Sequence, residues 1–382
     1  MGKHLVLVGG GHAHLTTLKT LLSFRNRGHQ VTLISLSAYH YYSGMGPGLL
    51  SGIYQPREVR FHIKRLAENQ GAAFIKDKVI KIDPEKKSLL LSSGKTVTYD
   101  VVSFNTGSEV PVESLTPSPG ENVIPVKPII NLLRARSLLL DAIKANKVMN
   151  LAVIGGGPGG VEVSGNLWRL LQENRGEAEI TLLGGRRLVG DAPDKVRSLV
   201  LNSLAGRGVN VIEGAYAKTI GNGIVTLSDG RKVLFDLALV AIGTRPPSLF
   251  RDSGLPTSAD GGLLVNSRLQ SVGHADIFGG GDCVSLEGRS LARVGVYAVK
   301  QNPILYHNLL AALEGANMLT FEPQKFFLLI LNMGNGQGIF WKKNWVWKSR
   351  FAFFLKDYID RKFMRKFQIS GELSEPYDEG EG

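Results

Sequence analysis

The chain has 382 residues, a net charge of +12 and 46 glycines, but only one cysteine, Cys283. This length allows two or three domains with sizeable buried cores. A single cysteine excludes a disulfide framework, a CxxC redox pair and any multi-cysteine metal site, and it favours a reducing compartment. No metal site is predicted.

The N-terminal residues predict neither a secretory signal nor a lipid anchor. The start MGKHLV runs directly into an apolar strand, and Val6 stands where myristoylation needs Ser or Thr. The longest apolar runs, such as FFLLIL at 326–331, are too short to span a bilayer. We therefore expect a cytoplasmic protein, with peripheral contact at the cytoplasmic membrane face as the alternative.

One supersecondary plan occurs twice along the chain. The run HLVLV precedes GGGHAH at Gly9, and NLAVI precedes GGGPGG at Gly155; further on, 92–108 (SSGKTVTYDVVSFNTGS) matches 228–244 (SDGRKVLFDLALVAIGT). Each copy is typical of a strand, a glycine turn, a helix and a strand, then a β-meander and a strand that ends in a glycine loop. The sequence therefore predicts an α/β fold with two Rossmann-like, three-layer ββα dinucleotide-binding domains and a small C-terminal α+β cap.

The two glycine loops differ in detail. Gly9 and Gly11 open a G-x-G-x-x-H pattern, whereas the second loop is a full G-x-G-x-x-G. Such glycines allow a sharp turn and a close approach of the backbone to a diphosphate. His12 falls in the first turn after the loop, where we favour local hydrogen bonding over a catalytic role.

The ends of the second strands lack the acidic residue that usually binds a ribose hydroxyl. Ser35 ends QVTLIS in the first copy, and Gly184 ends ITLLG in the second. Arg186 and Arg187 follow Gly184, and arginine at this place is suited to the 2′-phosphate of NADPH. The alternative is that both arginines are solvated loop residues.

The segments VLVGGGHAH, NTGSEVP, AIGTRPP and IFGGGDC together resemble the two-dinucleotide flavoproteins. That family includes type II NADH dehydrogenases, sulfide:quinone oxidoreductases and pyridine-nucleotide disulfide reductases. The segments YYSGMGPGLLSGIYQPREVRFHIKRLA and LKDYIDRKFMRKF more narrowly resemble the flavoprotein domain fused to some selenophosphate synthetases. The resemblance spans about residues 3–368.

This resemblance implies the cofactors and the residues that hold them. FAD is expected in the first site, with Asp282 on its ribityl and phosphate part and the start of a helix near 296 facing the flavin ring. NADPH or NADH is expected in the second site as co-substrate. The implied FAD residues are Gly9, Gly11, His12, Ala13, Ser35, Ser43, Gly44, Met45, Val79, Thr106, Gly107, Gly281, Asp282, Val296 and Tyr297. The implied nicotinamide residues are Gly155, Gly157, Gly160, Glu162, Arg186, Arg187 and Gly243. No catalytic residue is assigned.

The expected domains follow from the same resemblance. Residues 1–122 and 246–319 are expected to form a discontinuous FAD domain, 123–245 a nicotinamide domain, 320–370 a cap and 371–382 a disordered acidic tail.

Without redox cysteines, the implied function is an FAD-dependent NAD(P)H oxidoreductase that passes hydride to the flavin and electrons to a quinone or another small acceptor. The alternative is a flavin-binding accessory or sensor protein, with a link to selenium and a vestigial nicotinamide site.

The C-terminal stretch 340–367 is aromatic and strongly basic. Trp347, Phe351, Phe354 and Tyr358 are spaced as one stripe of a helix. Three interpretations stay open: contact with an anionic membrane, contact with a second subunit in a homodimer, and packing on the protein's own core. No nucleic-acid partner is expected, because the basic charge comes without a matching module.

Overall fold

Two parallel sheets of five strands organise the chain, and the computed structural model describes it over residues 2–116 and 120–375. The first segment contains strands β1 His4–Val8, β2 Gln30–Ser35, β3 His40–Tyr41, β4 Arg60–Phe61, β5 Ala73–Lys76, β6 Val79–Asp83, β7 Ser88–Leu91, β8 Thr96–Thr98 and β9 Val101–Phe104. Its helices are α1 Leu15–Lys19, α2 Leu22–Arg25, α3 Gly46–Ser51 and α4 Ile63–Glu68.

The second segment repeats this plan with longer helices. Its strands are β10 Val123–Pro125, β11 Met149–Ile154, β12 Ala178–Leu183, β13 Asn210–Ile212, β14 Ala217–Gly221, β15 Ile224–Leu227, β16 Lys232–Leu234 and β17 Leu237–Val240. Its helices are α5 Asn131–Lys144, α6 Pro158–Asn174 and α7 Asp194–Ala205.

The remaining elements return to the first unit and then build the cap. They are α8 Leu249–Asp252, β18 Leu263–Val265, β19 Ile277–Gly279, β20 Val284–Leu286, α9 Gly295–Glu314, β21 Leu329–Asn332, β22 Gly338–Lys342, β23 Trp345–Ser349 and α10 Arg350–Phe367. Short 3-10 turns lie at His12–His14, Ser43–Met45, Pro56–Glu58, Val112–Ser114, Gly281–Cys283 and Glu372–Ser374.

The order of the strands confirms the predicted fold class. The first sheet runs β19-β9-β1-β2-β5 and the second runs β10-β17-β11-β12-β13, so β1 and β11 lie at the centres of equivalent sheets. Antiparallel meanders β6–β8 and β14–β16 occupy the same place in each copy. Because β19 pairs with β9, the first unit is built from two separated segments of the chain.

Central strands of this kind are buried on both faces, which explains their unbroken apolar sequences. Leu5, Val6 and Leu7 of β1 are fully enclosed, as is Val153 of β11. In each unit the glycine loop therefore begins at the carboxyl end of a central strand, beside the end of β9 or β17. Ligands of parallel α/β sheets bind at this edge.

The cap differs from the sequence prediction at Trp347. This residue lies in β23 rather than on the helix, and its ring stacks on that of Phe340 at 3.7 Å between centroids. Helix α10 begins after Ser349, whose side-chain oxygen accepts a hydrogen bond from the backbone N–H of Ala352 at 3.0 Å. The helical stripe therefore consists of Phe351, Phe354 and Tyr358 without Trp347.

The structure also differs from the expected disordered tail over residues 371–375. Glu372–Ser374 form a 3-10 turn, and Glu372 is buried. The rest of the expected tail, 376–382, lies outside the described residues. Among the described residues, no helix has both the length and the apolar character needed to cross a membrane.

Candidate functional site

A large groove of about 910 Å³ opens at the carboxyl edge of the first sheet. Residues of the first glycine loop, of the NTG segment after β9 and of the GGGD segment after β19 meet in it. Seven of the sequence-predicted residues line it, namely Gly11, His12, Ser43, Thr106, Gly107, Gly281 and Asp282. Residues brought from outside the motifs include Tyr39, His40 and Lys127, and Ser108 joins them from the NTGSEVP motif.

The other predicted residues of this set do not line the groove. Gly9 has a φ of +83°, and a side chain there would collide with the carbonyl oxygen of Asn105. Ala13, Met45 and Val79 are buried in the core around it. Ser35 ends β2, Gly44 lies beside the cap, Val296 is in the first turn of α9, and Tyr297 lines a smaller adjoining cavity of about 410 Å³.

Asn105 ties the motifs of the groove together, a role that the sequence did not reveal. Its side-chain oxygen accepts from the backbone N–H of Ala13 at 3.1 Å, and its side-chain nitrogen donates to the carbonyl of Gly280 at 2.5 Å. A side chain at Gly11 or Gly281 would collide with this amide. The amide therefore holds the glycine loop against the GGGD segment.

Lys127 places a positive charge next to Asp282. Its ammonium group donates to a carboxylate oxygen of Asp282 at 2.8 Å and to the Ser108 hydroxyl at 3.0 Å, and Ser108 donates to the same carboxylate at 2.9 Å. Lys127 comes from the crossover before α5, 19 residues after Ser108. No local pattern marked it.

The outer wall of the groove is clasped by the C-terminal residues. Glu375 forms ion pairs with Arg60 at 2.8 Å and Arg65 at 3.2 Å, and Glu372 accepts from the backbone N–H of His62 at 3.0 Å. The Arg60 guanidinium lies 4.0 Å from the centroid of the Tyr39 ring, which faces the groove. We call residues 369–375 the C-terminal clasp.

The second glycine loop has tight and open positions. Gly155 has a φ of +134°, and side chains at Gly155 or Gly160 would collide with the carbonyls of Ala241 and Gly155, respectively. Gly157, by contrast, has no atom within 4 Å of the place a Cβ would take. Gly243, after β17, is equally open. The open positions leave room for a nucleotide backbone to approach.

The arginine loop after β12 separates its two arginines. Arg187 forms an ion pair with Asp194, whereas Arg186 extends into solvent. Glu213, which no sequence motif marked, accepts from the backbone N–H of Leu188 at 2.5 Å and pairs with Arg197 at 2.6 Å. The acid nearest to Gly184 is therefore already engaged in shaping the loop.

A polar network joins the second unit to the cap. Lys356 of α10 donates to Asp360 at 2.7 Å and to the carbonyl of Gly44 at 2.6 Å, and the Tyr42 hydroxyl donates to Asp360 at 3.0 Å. Glu162 of α6 faces this network and accepts from the backbone N–H of Asn332 at 2.8 Å.

Burial sets the proton affinity of Glu162. Loss of water raises the pKa of its carboxyl group to about 7; Lys356 and the Asn332 N–H oppose this shift, and the charge of Asp360 adds to it. Glu162 therefore exchanges a proton near neutral pH, whereas Lys356 keeps its charge, because Asp360 and Glu162 outweigh the burial that would lower its pKa.

Cys283 is fully buried under the GGGD segment. Its sulfur lies 3.4 Å from the Gly280 carbonyl and 3.5 Å from that of Phe104, and burial raises the pKa of the thiol. A thiol that is enclosed and protonated is a poor nucleophile. The chemistry of this site therefore proceeds without cysteine.

Comparisons with known proteins agree with this architecture. A family model described as pyridine nucleotide-disulphide oxidoreductase matches residues 3–308. Ferroptosis suppressor protein 1 of Xenopus tropicalis is 26% identical over 352 residues, which cover 88% of this chain and 87% of that protein.

Two solved structures share the fold. NDH2 from Plasmodium falciparum in complex with NADH has a TM-score of 0.79 at 16% identity. The match covers 99% of this chain and 100% of the NDH2 chain. The sulfide:quinone oxidoreductase of Aquifex aeolicus has a TM-score of 0.78 at 18% identity, with 97% of this chain and 92% of its own covered.

The contrast between Gly157 and Gly160 gives a paired test of the second loop. We expect Gly157→Ala to leave the melting temperature unchanged but to weaken NAD(P)H binding at least tenfold, since its methyl group would project into open space where the nucleotide is expected. Gly160→Ala should lower the melting temperature, because its methyl group meets the Gly155 carbonyl. Gly221→Ala, in the meander, is the control. Equal nucleotide affinity in Gly157→Ala and the unmodified protein would contradict this account.

Proposed function

Because the chain belongs to the pyridine nucleotide-disulphide oxidoreductase family, whose cofactors are FAD and NAD(P)H, we propose that it is an NAD(P)H:quinone oxidoreductase. It is an NAD(P)H-dependent flavin oxidoreductase, and the quinone is our choice of acceptor. The observation that carries this choice is the cap helix α10, whose Lys356 and Asp360 face Glu162 of α6 and which also carries an exposed aromatic stripe.

The residues present fit FAD in the large groove. Gly107 lines the groove with a φ of +74°, and no atom lies within 4 Å of the place a Cβ would take, so a side chain there would project into open space. Gly11, Thr106 and Asp282 would hold the cofactor, with Lys127 beside Asp282. Bound FAD supplies two-electron transfer between the nicotinamide and the acceptor.

The chain's own residues supply orientation and protons. Reduction of a quinone by NAD(P)H consumes one proton: NAD(P)H, a proton and quinone give NAD(P)⁺ and quinol. Glu162 holds an exchangeable proton near neutral pH, and Lys356 anchors Asp360 and the Gly44 carbonyl opposite it. We propose that Glu162 is the proton donor for the acceptor. The enclosed cysteine leaves no route through a disulfide.

The exposed face of the cap suits a quinone that is dissolved in a membrane. Phe351 and Phe354 are each 63% exposed, and Tyr358 lies on the same stripe of α10. Lys362 lies near the Tyr358 ring, and Lys348 and Arg350 flank the start of the helix. Aromatic rings among cations bind the interface of anionic lipid. A helix is about 10 Å across, which is all that separates this face from Lys356.

The alternative is a flavin-binding accessory protein. None of the three proteins named above supports it, since none carries the name of an accessory or sensor protein. None of the three is a selenophosphate synthetase, so the narrower selenium link also stays a prediction.

Anaerobic reduction tests the nicotinamide step. When the FAD-loaded protein is mixed with NADPH or NADH in the absence of oxygen, its visible flavin absorbance should disappear. This should need a lower concentration of NADPH than of NADH. Arg186→Ala should reduce the preference for NADPH by about tenfold, since a charge-assisted hydrogen bond contributes about 1.5–3 kcal/mol. Arg187→Ala should do less, because Arg187 is held by Asp194. Absorbance that persists with both nucleotides yet disappears with dithionite would refute the proposed activity.

Glu162→Gln separates hydride transfer from proton delivery. At saturating NAD(P)H, where a change in nucleotide affinity has no effect, we expect the rate of anaerobic flavin reduction to stay within about twofold, while quinone reduction slows by about 10²-fold, as loss of a general acid predicts. In the unmodified protein the rate of quinone reduction should fall as the pH rises above about 7, because Glu162 then loses its proton. The variant should lack this pH dependence. Glu173→Gln, an exposed change on the same helix, is the control; an unchanged pH profile in Glu162→Gln would contradict the assignment.

Vesicle flotation tests the membrane face. The protein should float with vesicles rich in phosphatidylglycerol, and Phe351→Ser with Phe354→Ser should reduce the bound fraction at least tenfold, since each buried Phe contributes about 1.5–3 kcal/mol. Leu234→Ser, an exposed apolar residue in the meander, is the control. An alternative outcome is that the protein does not bind vesicles but forms a dimer that is lost in the Phe351→Ser, Phe354→Ser variant. In that case the aromatic face of α10 binds a second copy of the chain.

A further inference from the structure

Two histidines lie against each other in the large groove. His12 follows the first glycine loop, and His40 is in β3, nearly 30 residues away. Their ring centroids are 4.8 Å apart at an interplanar angle of 83°. Both residues line the groove together with Gly11, Lys127 and Asp282. We call them the histidine pair.

Both rings lack a hydrogen-bond partner where they need one. The Nε2 atoms of His12 and His40 are enclosed, and neither has a partner within the described part of the chain. Aromatic rings surround them: Tyr42 and Phe363 pack on His12, and Phe61 stacks on His40. A buried polar atom without a partner costs about 1–3 kcal/mol.

A third histidine nearby does have hydrogen-bond partners for its ring nitrogens, so their absence is specific to the histidine pair. His14 is two residues from His12, yet its Nδ1 lies 2.6 Å from the Gly9 carbonyl and its Nε2 lies 2.8 Å from the Ser103 hydroxyl. The expectation of local hydrogen bonding at the start of this helix therefore fits His14, whereas His12 Nε2 is left without it. The missing partners of the histidine pair point to a ligand.

The groups that face the pair keep it neutral before a ligand arrives. Burial first and the charge of Lys127 second lower the pKa of His12 to about 4. Burial and His12 lower the pKa of His40 well below its ordinary value. Tyr42 stays neutral because burial and Asp360 raise its pKa. Tyr41 follows His40 on β3 and lies opposite Arg60 of β4. Lys127 is already balanced by Asp282 at 2.8 Å.

The diphosphate of FAD, which the glycine loop at Gly9 and Gly11 is expected to bind, brings two negative charges to this part of the groove. Lys127 cannot balance both, because it is shared with Asp282. Of the other lysines that line the groove, Lys64 pairs with Glu68, and Lys76 lies at the end of β5, two strands away from β1, which carries the glycine loop. We propose that the histidine pair takes up one proton from solvent when FAD binds and so supplies the missing counter-charge. An anion within about 4–6 Å favours the charged form of imidazole. Two imidazolium rings at 4.8 Å would repel each other, so the pair accepts one proton rather than two.

This inference rests on the FAD binding of the proposed function and predicts how that binding depends on pH. Above about pH 4 the free pair is neutral, whereas the bound pair is protonated. The dissociation constant of FAD should therefore rise by up to tenfold per pH unit, until the pH exceeds the pKa of the pair in the complex, and then level off.

Titration calorimetry of the FAD-free protein measures the proton directly. FAD is added at about pH 6, near the ordinary titration of histidine, in buffers with different ionisation enthalpies. The slope of the observed enthalpy against the ionisation enthalpy gives the number of protons taken up. We expect a value near one, and a value near zero after His12→Asn with His40→Asn. His307→Gln, an exposed change on α9, should retain the uptake of the unmodified protein.

The outcomes separate this inference from the proposed function. A protein that binds no FAD would refute the function itself. FAD binding without proton uptake, or uptake that survives in the double variant, would overturn the histidine pair alone. If the double variant fails to fold, His40→Asn replaces it, and the pH dependence of the FAD dissociation constant in the unmodified protein still decides: a flat profile between about pH 5 and 8 contradicts the inference.

Discussion

The side-chain amide of Asn105 is the interaction on which the large groove depends. Its oxygen accepts from the backbone of Ala13 and its nitrogen donates to that of Gly280, so a segment near the start of the chain and one in its last third are fixed to one residue after β9. The backbone carbonyl of Asn105 also lies where a side chain of Gly9 would be. Glycine is required around this residue because the amide and its carbonyl fill the space.

The second unit keeps the backbone part of this arrangement and lacks the amide. Ala241 takes the place after β17, and its carbonyl lies against Gly155 as that of Asn105 lies against Gly9. The repeated contact explains why glycine recurs at both loops. An additional segment like GGGD joins only the first unit, and only there does an amide link the pieces. The two units therefore share the backbone contact, and the Asn105 amide is one feature that distinguishes the first site from the second.

These contacts also explain what the sequence could predict. Glycine loops and buried parallel strands are local patterns, so the fold class and the edge that carries the groove could be predicted from them. Lys127, His40 and Lys356 reach their positions through long-range packing, and no spacing in the sequence marks them. Trp347 was misassigned because a spacing of four residues cannot distinguish a helix from a strand that turns into one. On sequence alone, Glu372 and Glu375 are assigned to a disordered tail because their partners are distant along the chain. Glu375 pairs with Arg60, and Glu372 accepts from the backbone N–H of His62.

The C-terminal clasp sets an order of events during biosynthesis. The wall of the groove at Tyr39 and His40 is made early by the ribosome, but Arg60 and Arg65 behind it gain their carboxylate partner only when Glu375 has been translated. A nascent chain that already contains the first sheet therefore still has an unsecured wall. The groove therefore has its finished wall only after residue 375 has been translated, and a chain stalled before that residue would lack the ion pairs that hold Arg60 and Arg65.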